Sequence, residues 1–150
     1  MEIDFDIFAL MDRARASAAM LQSLDLYAEL VGEPTPVIYD RFFEIHPEAE
    51  DEFAGDEDLQ ERMMLGVLQM LAGLADGTFT PDNFVFWAPD HKVYGVDVDM
   101  VFTMFGVIAA VIRDGLGERW TQDMDESWKQ LVESLRQPLT RALAGSARSL

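Results

Sequence analysis

Trp87-Ala88-Pro89-Asp90-His91-Lys92-Val93-Tyr94-Gly95-Val96 is the stretch on which the fold turns. Phe84, Ala88 and His91 follow an i, i+4, i+7 spacing, which puts the imidazole on the apolar side of a short helical pattern. The chain has one other histidine, His46, and no cysteine. A metal held through a strong neutral ligand therefore points first to His91, since neutral imidazole is a common metal ligand and the usual one for haem iron. Pro89, two residues earlier, removes a helix hydrogen bond, so a short or broken helix is expected there.

Two more polar residues stand where apolar ones are expected, Tyr39 and Gln60. Gln60, Met64, Val67 and Leu71 share one helix face, with Gln60 at the lip of the apolar stripe. A polar group so placed must find a partner or carry a desolvation cost. Each residue also has a plainer reading. His91 alone fits a satisfied core histidine, Tyr39 a core tyrosine bonded to backbone, and Gln60 a helix-surface residue. Met63, Met64 and Met70 read as soft core packing rather than iron ligands. His46, before Pro47 at a helix start, reads as solvated.

Helical periodicity recurs along the whole chain and strand alternation is brief, so an all-α fold is expected. Residues 1–20 read as an N-terminal helical extension with Phe5, Phe8, Ala9, Met11 and Met20 as its apolar content, and residues 21–31 as a second helix. Gly32, Pro34 and Pro36 break the chain and open a helix from Val37 to about Ile45. A short helical turn follows to Phe53, then an acidic connector over 54–58, then a helix from Leu59 to about Ala75. Thr80-Pro81-Asp82 reads as a cap leading into Phe84-Val85-Phe86-Trp87. Asp97 or Asp99 caps a helix bearing Val101, Phe102, Phe105, Ile108, Ala109 and Ile112, which ends near Gly115-Leu116-Gly117. Thr121 caps a last helix with Met124, Trp128, Leu131, Leu135, Leu139 and Leu143 inward, kinked or weakened by Pro138.

At 150 residues the chain is long enough for one domain with a real core. Its formal net charge of −17 argues against nucleic acid and against anionic membrane surfaces. The charge reads as a solubilising surface suited to a salty cytosol, with a cationic docking partner as the other reading. The absence of cysteine excludes disulfides and thiolate sites. No uninterrupted apolar run reaches membrane-helix length, and the acidic N-terminus lacks the basic start of a signal peptide, so a cytoplasmic protein is expected.

The order of several segments matches a family. Ile38-Tyr39-Asp40-Arg41-Phe42-Phe43-Glu44-Ile45-His46-Pro47-Glu48, followed by Phe53, resembles the B and C helices and CD corner of bacterial globins. The likeness is greatest to single-domain haemoglobins and to the haem domain of flavohaemoglobins. His91-Lys92-Val93-Tyr94-Gly95-Val96 resembles their proximal histidine segment, and Leu116-Gly117-Glu118-Arg119-Trp120-Thr121 with Trp128 their G–H corner. The resemblance covers about residues 21–143.

The resemblance implies a globin fold over 21–150, helices packed pairwise around a haem b pocket, with residues 1–20 as an additional N-terminal helix. It makes His91 the proximal iron ligand, Tyr39 the distal tyrosine, Phe53 the phenylalanine on the haem, and Gln60 the distal glutamine with Met64 one turn later. A gapless alignment puts Met63 at the distal position instead. Arg62 and Lys92 become candidate partners of the haem propionates. The implied function is reversible binding of O2, and of NO and CO, with Tyr39 and Gln60 as hydrogen-bond donors.

Such a site could also convert NO to nitrate, provided a separate reductase re-reduces the iron, since no flavin or nicotinamide reductase segment is present. A gas or redox sensor, or a haem-free interaction module, is the competing reading, and either a monomer or a homodimer is compatible. Two departures stand out. Phe102 is near the family's helix-G tyrosine, after an apparent one-residue insertion, and no glutamate follows Glu133. Groups of that kind tune a metal through its ligand, so a strong electron push at His91 is not expected.

Overall fold

The computed structural model describes the backbone of residues 7–53, 55–80, 91 and 95–146, and the side chains of 18–53, 55–80, 91 and 95–144. Among the described residues every regular element is helical, as an all-α chain requires. α1 spans Ile7–Leu30, α2 Thr35–Ile45, α3 Pro47–Phe53, α4 Glu57–Asp76, α5 Val98–Leu116, α6 Gln122–Ser134 and α7 Arg136–Ser146. A 3-10 turn, Gly117–Arg119, joins α5 to α6. The expected helical segment after Thr80, with Phe84, Ala88 and Pro89, lies outside the described residues, as do Lys92 and Tyr94.

The expected division between 1–20 and 21–31 is not a break in the helix. α1 runs through it, because Ala18-Ala19-Met20-Leu21-Gln22 are good helix formers and neither glycine nor proline intervenes before Gly32. Ala19, Met20, Ser23 and Tyr27 are buried along one face of α1. The side chains of Phe5, Phe8, Ala9 and Met11 lie outside those described.

α1 packs on α4, α5 and α6, and α2 on α3, α4 and α5. One buried polar link ties α1 to α6. The Trp128 indole N–H donates to Ser23 Oγ at 2.8 Å, and the Ser23 hydroxyl donates to the Met20 carbonyl at 2.6 Å. At the α1–α5 crossing Gly115 lies under the Tyr27 ring, where a Cβ would overlap the ring edge. An ion pair, Arg41 Nη1 to Asp114 Oδ2 at 2.9 Å, joins α2 to α5 across the surface.

The caps explain the boundaries. The Asp56 side chain accepts the Leu59 N–H at 3.0 Å and opens α4. Of the two candidate caps for α5, Asp97 is the one used, accepting the Met100 N–H at 2.9 Å. Thr121 accepts the Met124 N–H at 3.1 Å and opens α6. The expected last helix is two helices, α6 and α7, meeting at Leu135. Pro138 has no N–H to give the Ser134 carbonyl, so the ladder opens one turn before the proline. The core positions survive the break, with Met124, Trp128, Leu135, Leu139 and Leu143 buried.

α5 is the central helix, with Val101, Phe105, Ile108, Val111 and Ile112 buried. The segment Val98–Arg119 is long and apolar enough by length and composition to cross a membrane, at a mean hydropathy of 1.6. Here it serves as a core helix, enclosed by α1, α2, α6 and α7.

Candidate functional site

The site grows from the apolar face of α2. Ile38, Tyr39 and Phe42 are buried there, and Phe43 is half-buried beside them. Pro36 near the helix start and Gly32 before it set where the helix begins, and so which residues turn inward. Tyr39 is only 2% exposed. Its ring centroid lies 5.5 Å from that of Phe43 and 4.9 Å from that of Phe53, the last residue of α3. Phe43 and Phe53 close the triangle at 5.7 Å.

The Tyr39 hydroxyl donates no hydrogen bond to any of the described residues. Burial alone pushes its pKa up to about 12, so the group keeps its proton at neutral pH. A buried hydroxyl normally finds a partner. The one fully buried side-chain polar atom without a partner among the described residues is Ser127 Oγ, so the Tyr39 hydroxyl is a protonated donor beside its aromatic wall and not an orphan sealed in the core.

α4 packs on α2 and α3 and supplies the next wall. Met64 and Leu71 are fully buried and Val67 is half-buried on the same face. Gln60, one turn before Met64, is half-buried, as its place at the lip of the stripe implies. Met63 is half-buried too, so both methionines turn inward, Met64 the more deeply. Arg62 is exposed and stands two residues, roughly 200° of helix turn, from Met64. It therefore lies on the face of α4 that points away from the wall.

His91 is helical and half-buried. Its carbonyl accepts the Val96 N–H at 3.2 Å, and Gly95 between them has φ 79°. A six-to-one bond across a left-handed glycine is a Schellman closure, which ends a helix at a defined residue. Val96, half-buried against the core, anchors the closure. The segment around His91 is thus tied to the entrance of α5, whose cap Asp97 follows directly.

Phe102, near the position the resemblance gives to a tyrosine, is half-buried on α5 and meets Phe105 edge-on at 5.8 Å. The Arg136 guanidinium lies over its other side, 4.5 Å from the ring centroid. An aromatic hydrocarbon with a cation above it has no hydrogen bond to offer an imidazole.

Among the described residues no three histidine, aspartate or glutamate side chains gather to hold a bare metal ion. A single imidazole can hold a metal firmly only if the metal brings most of its own ligands, as iron in a porphyrin does. The contacts described join Tyr39 to Phe43 and Phe53, with Met64 buried on the neighbouring helix; these are residue types such a group uses, and His91 as its ligand belongs to the proposal below. Lys92 lies outside the described residues.

His46 departs from expectation. Its side chain is only 19% exposed, not solvated. Nδ1 is 2.8 Å from Glu48 Oε1 and Nε2 is 3.3 Å from Thr103 Oγ1 on α5. The ring packs against Phe42 with centroids 5.4 Å apart. The signal was present in the spacing, because His46 follows Phe42 by four residues and so shares its inward face.

No family model matches the chain, and neither a curated protein nor a solved structure matches it.

Proposed function

We propose that the chain is a haem-binding domain of globin type that reversibly binds O2 at an iron held by His91. The reading rests on the resemblance of the His91 and Tyr39 segments to bacterial globins. One structural observation carries it furthest: the Tyr39 ring is buried in an aromatic wall with Phe43 and Phe53, and its hydroxyl keeps its proton and donates no hydrogen bond to a described residue.

Haem, when bound, supplies a ferrous iron that takes a diatomic ligand. His91 would hold it through its imidazole, with Phe53 and Met64 as apolar cover. Tyr39 stays protonated and can donate its hydroxyl to a ligand that carries partial negative charge. Phe43 and Phe53 hold the ring, so little entropy is spent in orienting it. Gln60 is the second donor, with a flexible side chain that must be ordered first. The buried surroundings exclude water and strengthen each bond.

Phe102, with the Arg136 guanidinium over its ring, has no hydrogen bond of its own to offer an imidazole. Any turnover that consumes the ferrous state would need a reductant to restore it.

The test is O2 release from haem-loaded Tyr39→Phe. A hydrogen bond to a charged partner contributes about 1.5–3 kcal/mol. Release should therefore quicken at least about tenfold, and CO release much less, because bound CO carries little negative charge. An O2 off-rate unchanged within about twofold would remove Tyr39 from the ligand site.

A further inference from the structure

We propose that His46 is a positioning residue for the Tyr39 site, locking the α2–α3 corner onto α5 and making ligand release depend on pH. The proposal rests on the reading of the Tyr39 wall as a ligand pocket. It adds a regulatory group that the pocket itself does not contain.

The imidazole stands where three helices meet. Its own backbone is fixed on both sides, since its N–H bonds to the Phe42 carbonyl at 2.8 Å and its carbonyl accepts the Ala49 N–H at 3.0 Å. The side chain then reaches two ways, to Glu48 on α3 and to Thr103 on α5. A line of rings leads from it to the pocket. His46 packs on Phe42, Phe42 on Phe43 at 6.1 Å, and Phe43 on Tyr39 and Phe53. Glu48 and Phe53 belong to the same short helix. Drawing Glu48 toward His46 thus holds Phe53 against Tyr39.

Both bonds survive a change of charge. Neutral, the ring donates from Nδ1 to Glu48 and accepts the Thr103 hydroxyl proton at Nε2. Protonated, both nitrogens donate, and the bond to Glu48 becomes an ion pair. The Glu48 carboxyl is held below its ordinary value, chiefly by the hydrogen bond from His46. The groups that face the ring are Glu48 on α3, uncharged Phe42 on α2 and uncharged Thr103 on α5, with Asp99 the nearest carboxylate along α5, one turn before Thr103. No other charged side chain among the described residues bonds to it. Imidazole changes charge between about pH 5 and 8. The corner is therefore tightest on the acid side of that range and loosens as pH rises.

Two readouts test this on the full chain. The first needs no haem: the Tyr39 ring resonances are followed by NMR across about pH 5 to 8. They should move with an imidazole titration in the wild type. They should stop doing so in His46→Gln, which keeps a polar side chain and leaves His91 untouched. Glu48→Gln, a change at an exposed position, should shrink the movement without threatening the fold.

The second readout is the O2 off-rate of the haem-loaded protein. It should rise roughly two- to fivefold from the acid to the alkaline end, within the reach of one exposed ion pair. Glu48→Gln should flatten the profile, while Thr103→Val should raise the rate at every pH and keep the slope. Tyr39 resonances that titrate alike in wild type and His46→Gln would overturn the proposal. So would a flat O2 profile in wild type that binds haem normally. A chain that takes up no haem would overturn the pocket reading instead, and the Tyr39 resonances would then decide the role of His46 alone.

Discussion

The rings of Tyr39 and Phe53 lie with centroids 4.9 Å apart at an angle of 56°, joining the middle of α2 to the last residue of α3. Tilted aromatic contacts of this kind hold a side chain in one orientation. Among the described residues the Tyr39 hydroxyl is therefore aimed by neighbouring rings and not by a hydrogen bond.

That leads to a stability expectation opposite in sign to the usual one. Most core tyrosines lose stability when the hydroxyl is removed, because its partner is stranded. In haem-free Tyr39→Phe no partner among the described residues is stranded, so stability should be unchanged or rise by at most about 1 kcal/mol. Urea unfolding measures it. A loss above about 1 kcal/mol would mean that the hydroxyl is bonded within the fold.

Ser23→Ala should behave in the ordinary way. It leaves the Trp128 indole N–H buried without its 2.8 Å acceptor. The expected cost is about 1–3 kcal/mol, read from the denaturation midpoint. Trp128 fluorescence should report the same transition.

Gly115→Ala should destabilise by about 1–3 kcal/mol, because the added methyl meets the buried Tyr27 ring and overpacks the α1–α5 crossing. Gly66→Ala on α4 is the control. A Cβ there meets nothing within 4 Å, so helix propensity should raise stability by roughly 0.5–1 kcal/mol. Thermal midpoints of the two variants should move in opposite directions.

The Arg41–Asp114 pair should contribute to acid sensitivity. The hydrogen bond from Arg41, first among its causes, holds the Asp114 carboxyl below the usual range. A depressed folded-state value gives stability that is present above the unfolded carboxylate's titration and is lost as pH falls through the folded one. Both partners are substantially exposed, so the contribution should stay under about 1 kcal/mol. Asp114→Asn should lower stability at neutral pH and leave it unchanged below the carboxylate range, as unfolding at the two pH values will show.

Much of this architecture was legible in the sequence, because local chemistry governs helix ends. Thr121, and a choice between Asp97 and Asp99, could be read as caps without a structure, since a short polar side chain before an apolar run has little else to do. The continuity of α1 was less legible. The sequence reads as two helices meeting near residue 20, but only a glycine or proline would have enforced a break there. Pro138 marked the break, yet the break falls at Leu135, because the missing N–H acts one turn upstream.

In the site, the inward turn of Tyr39 and Met64 followed from spacing, while the Tyr39–Phe53 contact required the α2–α3 corner to fold. The inward turn of His46 was legible in its spacing from Phe42, whereas its partner Thr103, 57 residues away, was not. Arg62 carries the charge a propionate would want but lies on the exposed face of α4. Charge type is legible in a sequence, whereas direction depends on which face the core claims.

The central claim is that His91 holds a haem iron, and a haem titration of the full chain monitored at the Soret band tests it most directly. The wild type should saturate at about one haem per chain, as a single proximal imidazole implies. His91→Ala should lose tight binding, and added imidazole should restore the spectrum. The claim is contradicted if no stoichiometric Soret band forms, or if His91→Ala binds haem with the affinity and spectrum of the wild type.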